Sequence, residues 1–255
     1  MVREIYAYRE MLYNLVKREL RSRYKASILG FLWTFINPLM QLAIYSFVFP
    51  NLMRVTEENY TMFLFVALLP WTAFQASLQA GTTCVIANAN MVKKIYFPKT
   101  ILPLATVLAN MINYLYCMVI VLIVLPVVGI GYSKYLLFFP IIFLAEFLVA
   151  YGLCLIFSAF NVLYRDIEHI IAIVTMMWFY ATPILYNISV ITGKYEFLYK
   201  LNPMVGIIIG FRNILFYQVM PNMKYLFYDF VVGLVLIFIG AKIFECISRR
   251  FAEEL

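Results

Sequence analysis

The chain has 255 residues, of which 65% are hydrophobic and only 13% are charged, and its formal net charge is +7. Soluble globular domains carry about 25% charged residues, so the composition excludes an ordinary water-soluble protein. It predicts an all-α, polytopic integral membrane protein. The length suits one transmembrane domain, residues 1–255, of about six helices with short loops and no separate soluble catalytic domain.

The positive charge does not indicate a nucleic-acid-binding protein. The densest basic cluster lies directly before an apolar stretch, where it would meet lipid headgroups and set the orientation of the chain. This cluster comprises Lys17, Arg18, Arg21, Arg23 and Lys25. We therefore expect membrane lipids as neighbours and no nucleic acid as a partner. The four cysteines lack metal-ligand spacing, and we interpret them as small packing residues.

The predicted elements begin with residues 1–25, an amphipathic helix at the membrane interface followed by a basic junction. A soluble helix that packs on a partner is the alternative interpretation. Six apolar stretches then predict transmembrane helices. They cover 27–50, 61–84, 101–128, 136–160, 170–187 and 225–247. Pro38 falls inside the first of these spans and is expected to kink it.

Two segments between the predicted spans differ from plain loops. Residues 88–100 are polar and carry three lysines without an acidic residue. Residues 188–223 contain two apolar pieces, 203–211 and 214–220, which are divided by charge and too short to cross a bilayer. We expect the second segment to stay on the outer side.

The distribution of charge supports this topology. When both termini are placed in the cytoplasm, most of the 20 Lys and Arg residues fall on the inner side, as expected for a multi-pass protein of a cytoplasmic membrane. A single crossing by residues 188–223 would instead place the C-terminus outside.

Residue types suited to catalysis are sparse. No phosphate-binding loop motif occurs, so no cofactor is expected in this chain. The single histidine, His169, lies near Asp166 and Glu168 on a predicted inner loop, and a membrane-embedded lipid-modifying enzyme with these three residues as its site is one alternative function. Glu146 lies deep in a predicted span, where a carboxylate is costly, and an ion-coupled carrier centred on it is the other alternative.

Four motifs occur in order along the chain. Residues 23–33 read RYKASILGFLW before Asn37-Pro38-Leu39, and residues 94–104 read KIYFPKTILPL. Residues 161–167 read NVLYRDI and lead through Trp178 to Thr182-Pro183-Ile184, while residues 201–204 read LNPM and Arg212 follows eight residues later. Together these motifs resemble the membrane subunits of type-2 ABC exporters for cell-surface polysaccharides, the O-antigen, capsule and teichoic-acid permeases.

The resemblance implies a transport subunit and not an enzyme. Two copies would form the pore, and two copies of a separate ABC ATPase, which hold ATP and Mg²⁺, would dock on the cytoplasmic side. The substrate would be a polyprenyl-pyrophosphate-linked polysaccharide, moved across a bacterial or archaeal cytoplasmic membrane. Residues 188–223 would form a re-entrant outer gate of two short helices.

The resemblance also implies roles for single residues. Residues 88–100 would be a cytoplasmic coupling helix that docks on the ATPase through Lys93, Lys94, Ile95, Tyr96, Phe97 and Pro98. The substrate headgroup would meet Arg21, Arg23, Lys25 and Gly30, although topology anchoring is an equal alternative for the cations. The pore aromatics would include Trp33, Tyr45, Trp178, Phe179 and Tyr180. Arg165 and Asp166 would form an inner-loop motif, and Asn202, Pro203 and Arg212 would belong to the outer gate.

Overall fold

The structure, a computed structural model, describes residues 2–22, 29–53, 59–188 and 196–255. Every regular element in these ranges is helical, which agrees with the predicted all-α class. The helices are α1 (Val2–Ala7), α2 (Arg9–Ser22), α3 (Trp33–Met53), α4 (Tyr60–Ala87), α5 (Ala89–Lys94), α6 (Ile101–Val127), α7 (Phe139–Leu163), α8 (Ile167–Tyr180), α9 (Glu196–Leu201), α10 (Pro203–Leu215), α11 (Met223–Ser248) and α12 (Phe251–Glu254). Short 3₁₀ turns, Gly30–Leu32 and Lys134–Phe138, precede α3 and α7.

Five helices in the described ranges are long and apolar enough to cross a bilayer, namely α3, α4, α6, α7 and α11. They correspond to five of the six predicted spans. Helix α3 continues through Pro38 without a break in its helical assignment. The agreement arises because unbroken apolar runs of this length have few alternatives to a helix in a membrane.

The predicted span 170–187 differs from the other five. Helix α8 has only 14 residues, or about 21 Å at 1.5 Å per residue, and the chain turns at 181–184. Pro183 disfavours helical backbone at the residue before it and cannot donate a backbone hydrogen bond itself. The six-span count therefore stays a prediction.

Helix α4 forms the centre of the bundle. Its buried side chains include Trp71 and Phe74, and it packs against α6, α7, α8 and α10. Helices α7 and α11 pack along most of their length. A β-carbon on Gly240 of α11 would lie 2.7 Å from the carbonyl oxygen of Gly152 on α7. Small residues of this kind allow membrane helices to approach to near backbone contact.

The N-terminal helix lies against the rest of the chain. The segment forms α1 and α2, and the backbone bonds from Tyr8 N to Glu4 O and from Leu12 N to Tyr8 O connect them. Leu15 is buried, because α2 packs on α6. Helix α2 thus ends at Ser22, and residues 23–25 of the predicted basic junction lie outside the described residues.

Candidate functional site

The segment that connects α4 to α6, residues 88–100, contains a shorter helix than predicted. Helix α5 ends at Lys94, and Ile95 is already extended, with φ of −127° and ψ of 136°. Pro98 lacks an N–H group and disfavours helical backbone at Phe97, so residues 95–98 leave the helix. We call residues 88–100 the coupling segment from here on.

The exposed tip of the coupling segment is smaller than predicted. Tyr96 is 94% exposed and Ile95 is 55% exposed, but Phe97 is only 4% exposed and belongs to the hydrophobic core. Consecutive side chains of an extended chain point in opposite directions, which lets Phe97 turn inward beside Tyr96. Lys93 and Lys94 are exposed. The expectation that Phe97 offers its ring to a partner is therefore at odds with the structure.

The start of the coupling segment is bound to the N-terminal helix. The Arg18 guanidinium on α2 donates a hydrogen bond to the Asn88 side-chain oxygen. The Asn88 side-chain amide in turn donates to the carbonyl oxygen of Cys84 at 2.7 Å. A movement of residue 88 would therefore displace α2 and the end of α4.

The end of the coupling segment is bound to the C-terminal region. Lys99 Nζ donates to the carbonyl oxygen of Ser248 at 2.9 Å. The same ammonium lies 5.3 Å from the ring centroid of Phe251, which is fully buried. Burial lowers the pKa of Lys99. This contact was not predicted from sequence, because it joins residues 149 positions apart.

A basic groove of about 1,110 Å³ lies between α2, the Gly30–Leu32 turn and α6. Three cations and three aromatic residues line it, namely Lys17, Arg18, Arg21, Tyr13, Phe31 and Tyr116. The rings of Phe31 and Tyr116 meet edge to face, with centroids 5.3 Å apart. Gly30 begins the turn with a φ of +47°, which favours glycine. Of the predicted headgroup residues, Arg21 lines the groove, whereas Arg23 and Lys25 lie outside the described residues.

The predicted pore aromatics fall into two groups. Phe179 is buried and Trp178 is half-buried, and they pack on Trp71 and Phe74 of α4; the ring centroids of Phe74 and Trp178 are 5.2 Å apart. Trp33 and Tyr180 are 41% and 58% exposed. Tyr45 is half-buried, with its ring centroid 6.1 Å from that of Phe179. A role in lining a pore stays a prediction for all five.

Asn202 joins the segment after α8 to the start of α10. Its Oδ1 accepts hydrogen bonds from the backbone N–H of Met204 at 3.0 Å and from Trp178 Nε1 at 2.9 Å. Its Nδ2 donates to Thr182 Oγ1 at 3.1 Å and to the carbonyl oxygen of Ala181 at 3.3 Å. Pro203 is the first residue of α10, as suits its missing N–H group. Two motifs that are distant in sequence therefore meet at one side chain.

Arg212 joins the other end of α10 to the same region. It is only 3% exposed, and its guanidinium carbon lies 3.6 Å from the centroid of the Phe63 ring. The guanidinium donates to the backbone carbonyl oxygens of residues 63, 183, 184 and 186. Carbonyl dipoles and a ring face thus surround a buried cation. The predicted outer-gate residues are brought together by one short helix that is held at both ends; residues 189–195 of the gate lie outside the described residues.

The residues of the enzyme alternative lie on the surface. Asp166, Glu168 and His169 are exposed, and His169 Nε2 lies 3.7 Å from Glu168 Oε1. Arg165 is also exposed, and no ion pair joins it to Asp166 within the described ranges. Sequence analysis missed Asn161, whose buried Oδ1 accepts from the backbone N–H of Glu168 at 3.1 Å. The described residues contain no group of His, Cys, Asp and Glu that could hold a metal ion.

Two carboxylates are fully buried in long helices. They are Glu146 on α7 and Asp229 on α11, and their carboxylate oxygens have no hydrogen-bond partner among the described residues. Sequence analysis identified Glu146 but missed Asp229. The Asp229 carboxyl group packs against the α-carbon of Gly206 on α10, where a β-carbon would collide with it.

Comparisons with known proteins agree with the resemblance inferred from the motifs. A sequence model described as ABC-2 type transporter matches residues 10–216. The chain is 34% identical over 257 residues to the O-antigen export system permease protein RfbA of Myxococcus xanthus, covering 100% of this chain and 99% of that protein. A protein of the same name from Klebsiella pneumoniae is 34% identical over 247 residues, or 96% of this chain and 95% of the relative.

A more distant relative is the polysialic acid transport protein KpsM of Escherichia coli. It is 23% identical over 238 residues, or 91% of each chain. The family model covers four of the five long helices, the coupling segment and most of the outer segment, and the likeness to the Myxococcus xanthus protein also includes α11. The chain is a membrane protein that belongs to the ABC-2 type transporter family.

Proposed function

We propose that this chain is the permease subunit of an ATP-driven exporter that moves polyprenyl-pyrophosphate-linked polysaccharide of the O-antigen class across a bacterial or archaeal cytoplasmic membrane. One observation carries the proposal: the likeness to O-antigen export permeases extends over the full chain at 34% identity. Five long apolar helices supply most of the membrane-crossing structure that such a subunit needs.

The basic groove supports a lipid-linked anionic substrate. Lys17, Arg18 and Arg21 offer cations for a pyrophosphate, and the rings of Phe31 and Tyr116 offer an apolar surface for the first isoprene units. Cations beside a span lie at the level of lipid headgroups, where such a substrate arrives. Since Arg18 also binds Asn88, an anion in the groove would lie next to the coupling segment.

The coupling segment supports docking of a separate ABC ATPase. Its exposed tip combines Ile95 and Tyr96 with Lys93 and Lys94. The aromatic ring can anchor an interface, and the neighbouring cations would attract an acidic groove on the ATPase. In this arrangement ATP and Mg²⁺ bind the partner subunit, and the permease itself carries no cofactor. Two permease copies and two ATPase copies complete the exporter.

The contacts of the coupling segment support a topology with both termini in the cytoplasm. Arg18 brings α2 to residue 88, and Lys99 brings the end of α11 to the same segment. The N-terminal helix, the coupling segment and the C-terminal helix α12 therefore lie at one end of the bundle, as three cytoplasmic elements must.

A deletion and complementation experiment tests the proposed function. A strain that lacks this chain should lose surface polysaccharide and accumulate polymer inside the cell, attached to polyprenol through an acid-labile pyrophosphate. The tagged chain, purified from native membranes, should bring with it a subunit that hydrolyses ATP. Unchanged surface polysaccharide in the deletion strain would contradict the proposal, as would loss of export on addition of an uncoupler while cellular ATP is maintained.

A further inference from the structure

Arg18 is shared between the basic groove and the coupling segment. Its side chain lines the groove together with Lys17 and Arg21. Its Nη2 donates a hydrogen bond to Oδ1 of Asn88, a residue 70 positions further along the chain. Arg18 therefore contacts both the surface proposed for the substrate headgroup and the segment proposed for the ATPase.

Asn88 lies at the junction between α4 and α5. Its backbone is not helical, with φ of −110° and ψ of 21°. Its carbonyl oxygen accepts from the backbone N–H groups of Met91 and Val92, which begin α5, at 2.9 and 3.1 Å. Its side-chain Nδ2 donates to the carbonyl oxygen of Cys84 in the last turn of α4. A restraint on the Asn88 side chain therefore acts where α4 ends and the coupling helix begins.

The Arg18 guanidinium keeps donors for an anion while it binds Asn88. A guanidinium carries five N–H donors, and two on one edge match two oxygens of a phosphate. The Glu19 carboxylate lies 3.7 Å from Nη2, which is beyond hydrogen-bond distance, and Glu19 does not line the groove. The Arg18 side chain is 49% exposed. It can therefore hold a phosphate on one edge and Asn88 on the other.

The two other cations of the groove lack this second contact. Lys17 Nζ lies 5.7 Å from the ring centroid of Tyr13 on the same helix. Within the described ranges, no hydrogen bond joins Lys17 or Arg21 to the coupling segment. All three cations can attract an anion, but Arg18 is the one whose position also bears on Asn88.

We propose that Arg18 is a positioning residue that links occupation of the basic groove by a pyrophosphate to the coupling segment, through Asn88. The inference rests on the proposed export function and adds to it a reason why ATP hydrolysis follows loading of the substrate. An anion on one edge of the guanidinium restrains Arg18, and Arg18 in turn restrains Asn88. By linkage, the loaded groove and the ATPase-bound coupling segment then stabilise each other.

ATP hydrolysis by the purified exporter, permease with its ATPase subunit in phosphatidylcholine nanodiscs, measures this link. Farnesyl pyrophosphate is the probe, since it joins a pyrophosphate to a short isoprenoid chain that the rings of Phe31 and Tyr116 can contact. We expect it to stimulate hydrolysis about fivefold, the lower end of ordinary coupling between two sites. Absence of stimulation would overturn the proposal.

Other sources of phosphate chemistry are tested in the same assay. Phosphatidylglycerol in the nanodisc bilayer and inorganic pyrophosphate in solution should each stimulate hydrolysis much less than farnesyl pyrophosphate. Equal stimulation by phosphatidylglycerol would show that the groove responds to a lipid headgroup. Equal stimulation by inorganic pyrophosphate would show that the isoprenoid chain is irrelevant. Either result would overturn the groove as a sensor of the lipid-linked substrate.

Three matched variants on α2 separate binding of the anion from its effect on the coupling segment. Arg21→Met should raise the probe concentration for half-maximal stimulation about tenfold, the factor for one hydrogen bond to a charged group, and keep the maximal stimulation. Arg18→Met should raise that concentration and also abolish the stimulation. Arg9→Met, at an exposed cation outside the groove, should change neither. Full maximal stimulation in Arg18→Met would overturn the proposal.

Variants of Asn88 remove the link without removing a groove cation. Asn88→Ala should abolish stimulation, while the affinity for tritiated farnesyl pyrophosphate falls less than in Arg21→Met. Asn88→Asp keeps an acceptor for Arg18 but no donor for the Cys84 carbonyl, and it should keep the stimulation at a higher probe concentration, because its carboxylate competes with the pyrophosphate. Asn90→Ala, at an exposed position of α5, is the control and should match the parent.

Stimulation is a ratio within one preparation, so a smaller amount of docked ATPase does not change it. Equal loss of stimulation in Asn88→Ala and Asn88→Asp would assign the effect to the bond with Cys84 and overturn the role of Arg18. Export in the deletion and complementation experiment is measured independently. Successful complementation without stimulation of the parent complex would remove the link only, whereas failure of complementation would remove the proposed function.

Discussion

The indole Nε1 of Trp178 donates a hydrogen bond to Oδ1 of Asn202 at 2.9 Å and so joins the end of α8 to the start of α10. The same oxygen accepts from the backbone N–H of Met204, which caps α10. One carboxamide thus holds two helices together and begins one of them. Asn222 offers a natural comparison, because its Oδ1 caps α11 through the backbone N–H of Lys224 at 3.0 Å and is exposed.

The first prediction compares these two caps. Asn222→Ala should lower the free energy of unfolding by about 1 kcal/mol, the typical value of an N-cap. Asn202→Ala should lower it by about 2–4 kcal/mol, since it loses the cap and the bonds to Trp178, Ala181 and Thr182, each worth about 0.5–1.5 kcal/mol. Thermal unfolding of the purified proteins measures both. Equal losses of unfolding free energy in the two variants would show that the bonds from Asn202 to Trp178, Ala181 and Thr182 contribute nothing to stability.

The second prediction concerns the buried guanidinium of Arg212. Arg212→Met should destabilise the protein by about 3 kcal/mol or more, because several carbonyl oxygens lose a charged donor. Arg212→Lys should recover only part of this, since an ammonium cannot stack its plane on Phe63 or reach the same four carbonyls. The exposed cation Lys224 provides the control, and Lys224→Met should stay within about 0.5 kcal/mol of the parent. Full recovery by lysine would show that charge alone matters.

The third prediction separates two neighbouring aromatic residues of the coupling segment. Tyr96→Ala should reduce ATPase co-purification at least tenfold, as expected when an interface anchor worth about 2 kcal/mol is removed, and should not change the melting temperature. Phe97→Ala should instead lower the stability of the permease by about 3–5 kcal/mol, because it leaves a cavity in the core. Phe227→Ala, at a 73% exposed position of α11 outside the coupling segment, should change neither quantity. Normal ATPase recovery with Tyr96→Ala would remove Tyr96 as the anchor.

The fourth prediction separates the lysines. Lys93→Ala combined with Lys94→Ala should weaken the ATPase complex more at low salt than at high salt, because exposed charges act over distances that salt screens. Lys99→Met should leave that salt dependence unchanged, since its ammonium is engaged with Ser248 and Phe251. It should instead reduce the amount of polysaccharide exported per ATP hydrolysed. A salt-dependent loss of binding in Lys99→Met would place Lys99 in the interface.

Several elements could be predicted from sequence because local composition decides them. The five long helices follow from apolar runs, and α10 follows from an apolar piece with Asn202-Pro203 before it. The direction of the Phe97 side chain could not be predicted. It depends on the chain leaving the helix at Ile95 and on the core that receives the ring, neither of which composition determines.

The networks around Asn202 and Arg212 were also beyond sequence reasoning. Sequence analysis identified both residues through motifs, but their partners are backbone carbonyls and an indole from another part of the chain. Every residue carries a backbone carbonyl group, so no sequence pattern indicates which of them will accept a hydrogen bond. The predicted span 170–187 was too long at its end, because apolar residues continue past the turn at 181–184 and composition does not show where the helix stops.

The near contact between Gly152 and Gly240 has a consequence for motion. A β-carbon at position 152 would lie 2.8 Å from the backbone nitrogen of Ile237, so a larger side chain there would push the two helices apart. We therefore expect α7 and α11 to stay packed together during the proposed transport cycle. If the chain exports a polymer as proposed, we expect a pathway to widen through displacement of α3, which is little buried, and of the short helix α8.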